Sequence, residues 1–186
     1  YQFKESDSSN ILLRSEVLSR LNNAQNNIVI TYPEALSEKV INNIELENKT
    51  ISIKVDQIYD LEKLKKTIEN ENFELVDFVI DPGQYSVRGG IIDVFSFANE
   101  YPYRIVFDDD KIESIRTFNI NTQLSIEEKS KILIIPNTNN KKVINKRSNF
   151  LSYLDNESIV WIKDLSYTIG KLDDNFQKSI YQLEKK

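Results

Sequence analysis

DPGQYSVRGGIIDVFSFANEYPYRIVFDDDKIESIRTF, residues 81–118, holds three of the four glycines of the 186-residue chain and two of its four prolines. Its apolar residues come in short runs bounded by turn formers. Ile91, Ile92, Val94 and Phe95 are entered through Gly89-Gly90, and Tyr103, Ile105 and Phe107 alternate with Arg104 and Val106. Asp108-Asp109-Asp110 then turns the chain into Ile112, Ile115 and Phe118. Period-two patterning between turns predicts consecutive antiparallel strands. Such a sheet buries one face and leaves the other free to present arginines.

Outward from this block, helical and strand signals alternate on both sides. The N-terminal flank reads as a helix over Ile11–Leu21 with Leu13, Val17, Leu18 and Leu21 on one face. A buried strand over Ile28–Thr31 follows, then a helix over Glu34–Ile41 opened by Pro33. Residues 42–49 are polar and read as a break. Ile51, Ile53 and Val55 alternate as a strand, Asp60 caps a helix carrying Leu61, Leu64 and Ile68, and Phe73–Ile80 returns as a strand. Beyond Phe118, residues 119–131 read as a loop and Lys131–Ile135 as a strand stopped by Pro136. Asparagine- and lysine-rich residues 137–146 read as a linker. A helix through Phe150, Leu151 and Leu154, a strand over Ser158–Ile162 and a last helix from Asp164 complete the pattern. Leu165, Ile169, Leu172, Phe176, Ile180 and Leu183 give that last helix an amphipathic stripe suited to a core.

The expected class is α/β, with two partial α/β flanks interrupted by an inserted β-rich α+β domain. The boundaries fall at residues 1–48, 49–130 and 131–186. The chain starts at Tyr1 and contains no methionine, which reads as a piece of something longer.

Composition narrows the chemistry. With no histidine and no cysteine, imidazole- or thiol-based nucleophile pairs, zinc sites built on those ligands and disulfides are excluded within these residues. No Gly-x4-Gly-Lys-Ser/Thr phosphate loop occurs. A net charge of −5 provides no general footprint for nucleic acid, and no apolar run approaches the ~20 residues of a membrane span. The basic run Lys141, Lys142, Lys146 and Arg147 lacks interleaved aromatics for base stacking. Asp108, Asp109 and Asp110 are adjacent rather than alternating, which suits a charged turn better than a cation loop. Glu127 and Glu128 read as a solvated pair rather than catalytic carboxylates.

Arg88 stands before Gly89-Gly90, where the backbone can bulge or approach a partner, and its guanidinium fork suits carboxylate recognition. The plain alternative is a surface arginine paired with Asp93. Arg104 shares a face with Arg88 if their strands pair; otherwise it is a solvated residue opposite Glu113. Asp93, inside an apolar run, either orients these arginines from a buried position or lies on an exposed strand face.

The residues GQYSVRGGIIDVFSFANEYPYRIVF, followed by IESIRTF and flanked by TYPEALSEKVI and ILIIP, resemble the UvrB-homology region of transcription-repair-coupling factors (Mfd). The excision subunit UvrB carries similar elements and is the alternative, with a local DNA-binding module a third. The resemblance implies that the flanks are remnants of a split P-loop-like domain and that the insert docks UvrA. It carries the family's two contact arginines onto Arg88 and Arg104, with Gly89, Gly90 and Asp93 in support. In some members an aromatic follows four positions after the second arginine. Here that position is Asp108, and Phe107 beside it is the residue left to supply a ring. The implied parent is a cytoplasmic, ATP- and Mg2+-dependent DNA translocase that displaces stalled RNA polymerase. The fragment itself is expected to be non-enzymatic, cofactor-free, monomeric and without a membrane segment.

Overall fold

Six strands in the order β3-β4-β5-β6-β7-β8 form the principal sheet. A computed structural model of the chain describes residues 8–23, 27–138 and 147–184. In the sheet, β4 (Gln84–Arg88), β5 (Ile91–Val94), β6 (Tyr103–Asp108), β7 (Lys111–Phe118) and β8 (Ser125–Glu128) are successive antiparallel neighbours, and β3 (Glu74–Leu75) pairs parallel to β4. Two two-residue turns set the register. Gly89-Gly90 joins Arg88 to its partner Ile91, with Gly89 at φ +57°, and Asp109-Asp110 joins Asp108 to Lys111, with Asp109 at φ +48°. Positive φ favours glycine, and aspartate tolerates it better than most residues. The three aspartates are therefore turn chemistry. Among the described residues no group of three or more acids is placed to hold a metal ion.

Strand periodicity sends Tyr85, Ile92, Val94, Tyr103, Ile105, Phe107, Ile112 and Ile115 to one face, where all are buried. Covering them are β2 (Ile51–Lys54), which pairs antiparallel with β9 (Lys131–Ile134), and α4 (Leu61–Asn70). Ile51, Ile53, Ile132 and Ile134 join Leu64 and Ile68 in the same cluster. Each such side chain contributes about 1.5–3 kcal/mol through full burial. Asp60 starts α4 by accepting from the Lys63 amide at 2.6 Å. With one face packed and the other open, the sheet follows the ordinary antiparallel pattern.

A smaller core gathers Leu18, Val40, Ile41, Leu46, Ile135 and Tyr153. Apart from Ile135, one residue past β9, these come from α1 (Ser8–Asn23), β1 (Lys39–Ile41), α3 (Asn43–Lys49) and a 3-10 turn at Phe150–Tyr153. The Tyr153 hydroxyl donates to the Ile41 carbonyl at 2.6 Å, and Ser15 and Thr138 share a buried hydroxyl pair at 2.8 Å. β1 pairs with β10 (Arg147–Asn149), and α2 (Pro33–Ser37) and α5 (Leu165–Glu184) touch through Asn175 and Ser37.

Several elements differ from the sequence expectation. The helix expected over 34–41 stops at Ser37, and Val40 and Ile41 enter a strand that buries them. The polar break at 42–49 is α3, whose Asn42 side chain accepts from the Glu45 amide at 2.8 Å. Ile28–Thr31 and Ser158–Ile162 make no ladder among the described residues and are exposed, Trp161 at 91%. The strand expected over 73–80 shrinks to Glu74–Leu75, the loop after Phe118 contains β8, and the helix at Phe150 is a single 3-10 turn. Leu13 and Val17 of α1 are exposed although Leu18 is buried. Likewise, the α5 stripe leaves Leu165, Ile169 and Phe176 exposed, so these residues form no core among the described residues. Lys141, Lys142 and Lys146 lie outside the described residues.

Candidate functional site: the open face of the sheet

The register fixes which side chains share the open face. One row runs Ser86, Asp93, Arg104, Arg116, Glu128; the next runs Arg88, Ile91, Val106, Ser114. Arg88 and Arg104 are not on neighbouring strands, because β5 lies between them. Asp93 on that middle strand joins them. Arg88 donates from Nη2 to Asp93 Oδ2 at 2.5 Å. Arg104 makes a two-pronged contact, Nε to Oδ1 at 2.7 Å and Nη2 to Oδ2 at 2.8 Å. Bidentate charge-assisted geometry of this kind is among the strongest side-chain pairing.

The carboxylate is sealed, its side chain 2% exposed, whereas Arg88 is 40% and Arg104 19% exposed. Hydrogen bonding to Asp93 raises the Arg104 pKa above its ordinary value, against the opposing effect of burial. Thus a buried anion holds two guanidiniums side by side and outward.

Neighbouring groups complete the setting. The Arg88 guanidinium lies 5.3 Å from the Phe78 ring centroid and donates to the Asp77 carbonyl at 3.3 Å. Arg104 lies 4.4 Å from the ring centroid of the buried Phe118 and donates to Gln123 Oε1 at 3.0 Å. Phe78 is exposed beside Arg88, giving this end of the face an apolar contact.

Phe107 is not part of it. Alternation along β6 turns its ring into the core, where it is 8% exposed, and Gly90 packs its backbone beneath. A Cβ at Gly90 would come within 3.0 Å of the Phe107 carbonyl oxygen. Asp108 is exposed at the end of β6, beside the turn. Arg104 stands opposite Arg116, not Glu113: the two-residue turn alone would set it opposite Ile115, and the register shift between Val106 and Phe107, which skips Glu113, moves it on by one. Glu127 and Glu128 lie exposed on β8, Glu127 bridging to Lys129 at 2.6 Å. Arg147 is half-buried in β10, where desolvation lowers its pKa.

Two residues of this face escaped sequence reasoning. Phe78 sits in a stretch that resembled an ordinary strand. Arg116 was reachable by extending the β6–β7 hairpin register from Asp108–Lys111, though the displaced Glu113 shifts a simple count by one.

The sheet thus has one packed face and one free face that carries Arg88, Arg104 and Arg116. Residues 51–139 match the family model of the UvrB interaction domain. The chain is similar to transcription-repair-coupling factors over two thirds of its length. It is 31% identical over 123 residues to that of Haemophilus influenzae, 34% over 124 residues to that of Bacillus subtilis and 32% over 123 residues to that of Helicobacter pylori. The matches cover 66% of this chain but 11%, 10% and 12% of those relatives, so it spans about a tenth of their length.

Proposed function

We propose that the open face docks UvrA, and that the chain serves as the UvrB-like recruiting module of a transcription-repair-coupling factor. The observation that carries this reading is the Asp93-centred pair of partly exposed guanidiniums. They lie within the segment matching the UvrB interaction domain and are the positions to which the resemblance assigns the contact arginines. Their fork geometry favours carboxylates on the partner, and the exposed Phe78 supplies the apolar contact that Phe107 does not. The module performs no chemistry itself. In the proposed parent, ATP and Mg2+ act at a separate DNA-translocating motor that displaces stalled RNA polymerase, while this surface brings the excision machinery to the lesion in the cytoplasm.

Calorimetric titration of the chain with UvrA tests the reading. Arg88→Ala and Arg104→Ala should each weaken binding by about 2–4 kcal/mol. Unchanged affinity in both variants would remove this assignment.

A further inference from the structure

Arg116 lies directly opposite Arg104 in the β6–β7 register, on the same open face. Like charges facing across a ladder weaken a sheet, so this arrangement works against the fold. Asp93 does not compensate it, because both its oxygens are already occupied by Arg88 and Arg104. Arg116 is half-buried. Its Nε is sealed from solvent with no acceptor, and Nη2 donates only to the neutral Ser114 hydroxyl at 3.2 Å. Glu128 stands opposite on β8 but is exposed, and no ion pair joins it to Arg116 among the described residues. Three guanidiniums therefore share the face with one buried carboxylate.

We propose, on the docking reading above, that Arg116 is a third partner-binding residue. It receives a second carboxylate from an acidic segment of the partner, beside the Arg88–Arg104 pair. The incoming anion supplies the charge that the sheet lacks, so a pairing unfavourable in the free chain becomes favourable in the complex. This assigns the partner segment at least two acidic side chains and extends the contact from β4–β6 to β7.

Titration with UvrA at low and moderate salt, paired with thermal unfolding of each variant, decides the matter. Arg116→Ala should bind about 10-fold more weakly, with a shallower salt dependence and an unfolding temperature equal to or above that of the unaltered chain. Arg116→Lys should recover part of the affinity by keeping the charge without the fork. Binding by Arg116→Ala within twofold of the unaltered chain, while Arg88→Ala is impaired, overturns the third contact and leaves the docking role standing. Weakened binding that comes only with a lower unfolding temperature in Arg116→Ala, and is absent from Arg116→Met, also overturns it in favour of a packing role. If the unaltered chain does not bind UvrA, both readings fall together.

Discussion

Asp93 is the one charged side chain among the described residues that is fully buried, and it does two jobs at once. It neutralises Arg88 and Arg104 within the fold and fixes their direction outside it. Breaking a buried pair leaves charge uncompensated, but both arginines retain some access to water. Asp93→Ala is therefore expected to cost about 2–3 kcal/mol of stability in urea unfolding. Arg88, the more exposed partner, should cost no more than about 1 kcal/mol when replaced by alanine. Stability loss and binding loss should thus separate between the acid and the base of the same contact. The sequence showed Asp93 as an anomaly inside an apolar run, with its two meanings left open. It could not say that β5 would lie between the two arginines and let one carboxylate meet both.

At the scale of single elements, local chemistry was readable wherever one residue set the backbone. Asp60 opens α4, and the glycine pair makes the β4–β5 turn. Gly89→Ala should cost about 1 kcal/mol, because its φ of +57° disfavours a side chain although the surrounding space is open. Asp60→Ala should cost a similar amount, about 1 kcal/mol, through loss of the cap; both are measured by chemical denaturation. The missed α3 carried the same kind of signal, an asparagine cap with glutamate three residues on, hidden in a stretch whose polarity resembled a linker. The runs Ile28–Thr31 and Ser158–Ile162 failed for the opposite reason. Their composition suits strands, but a strand needs a neighbour to bond with, and none of the described residues provides one.

Across the whole molecule, the core-facing tyrosines couple stability to alkaline pH. Burial pushes the phenols of Tyr85 and Tyr103 up to about 12, and the Tyr85 hydroxyl also donates to Glu69 at 2.8 Å. Burial shifts Tyr153 in the same direction. The folded chain holds these protons more tightly than the unfolded chain, whose phenols ionise near 10. Stability should therefore be undiminished below about pH 10 and fall as pH rises toward 12. Urea midpoints at pH 9 and 11 measure the fall, and Tyr85→Phe should flatten it.

The two rims of the six-stranded sheet are both poor places to add another strand. β3 is two residues long, and β8 carries Glu127 and Glu128 on an exposed edge beside Lys129. Such edges discourage one copy from templating onto the next and growing into fibres. Replacing both glutamates with threonine should make the chain prone to ordered aggregation on long incubation, read by a dye that stains cross-β stacks, while leaving the arginine surface intact.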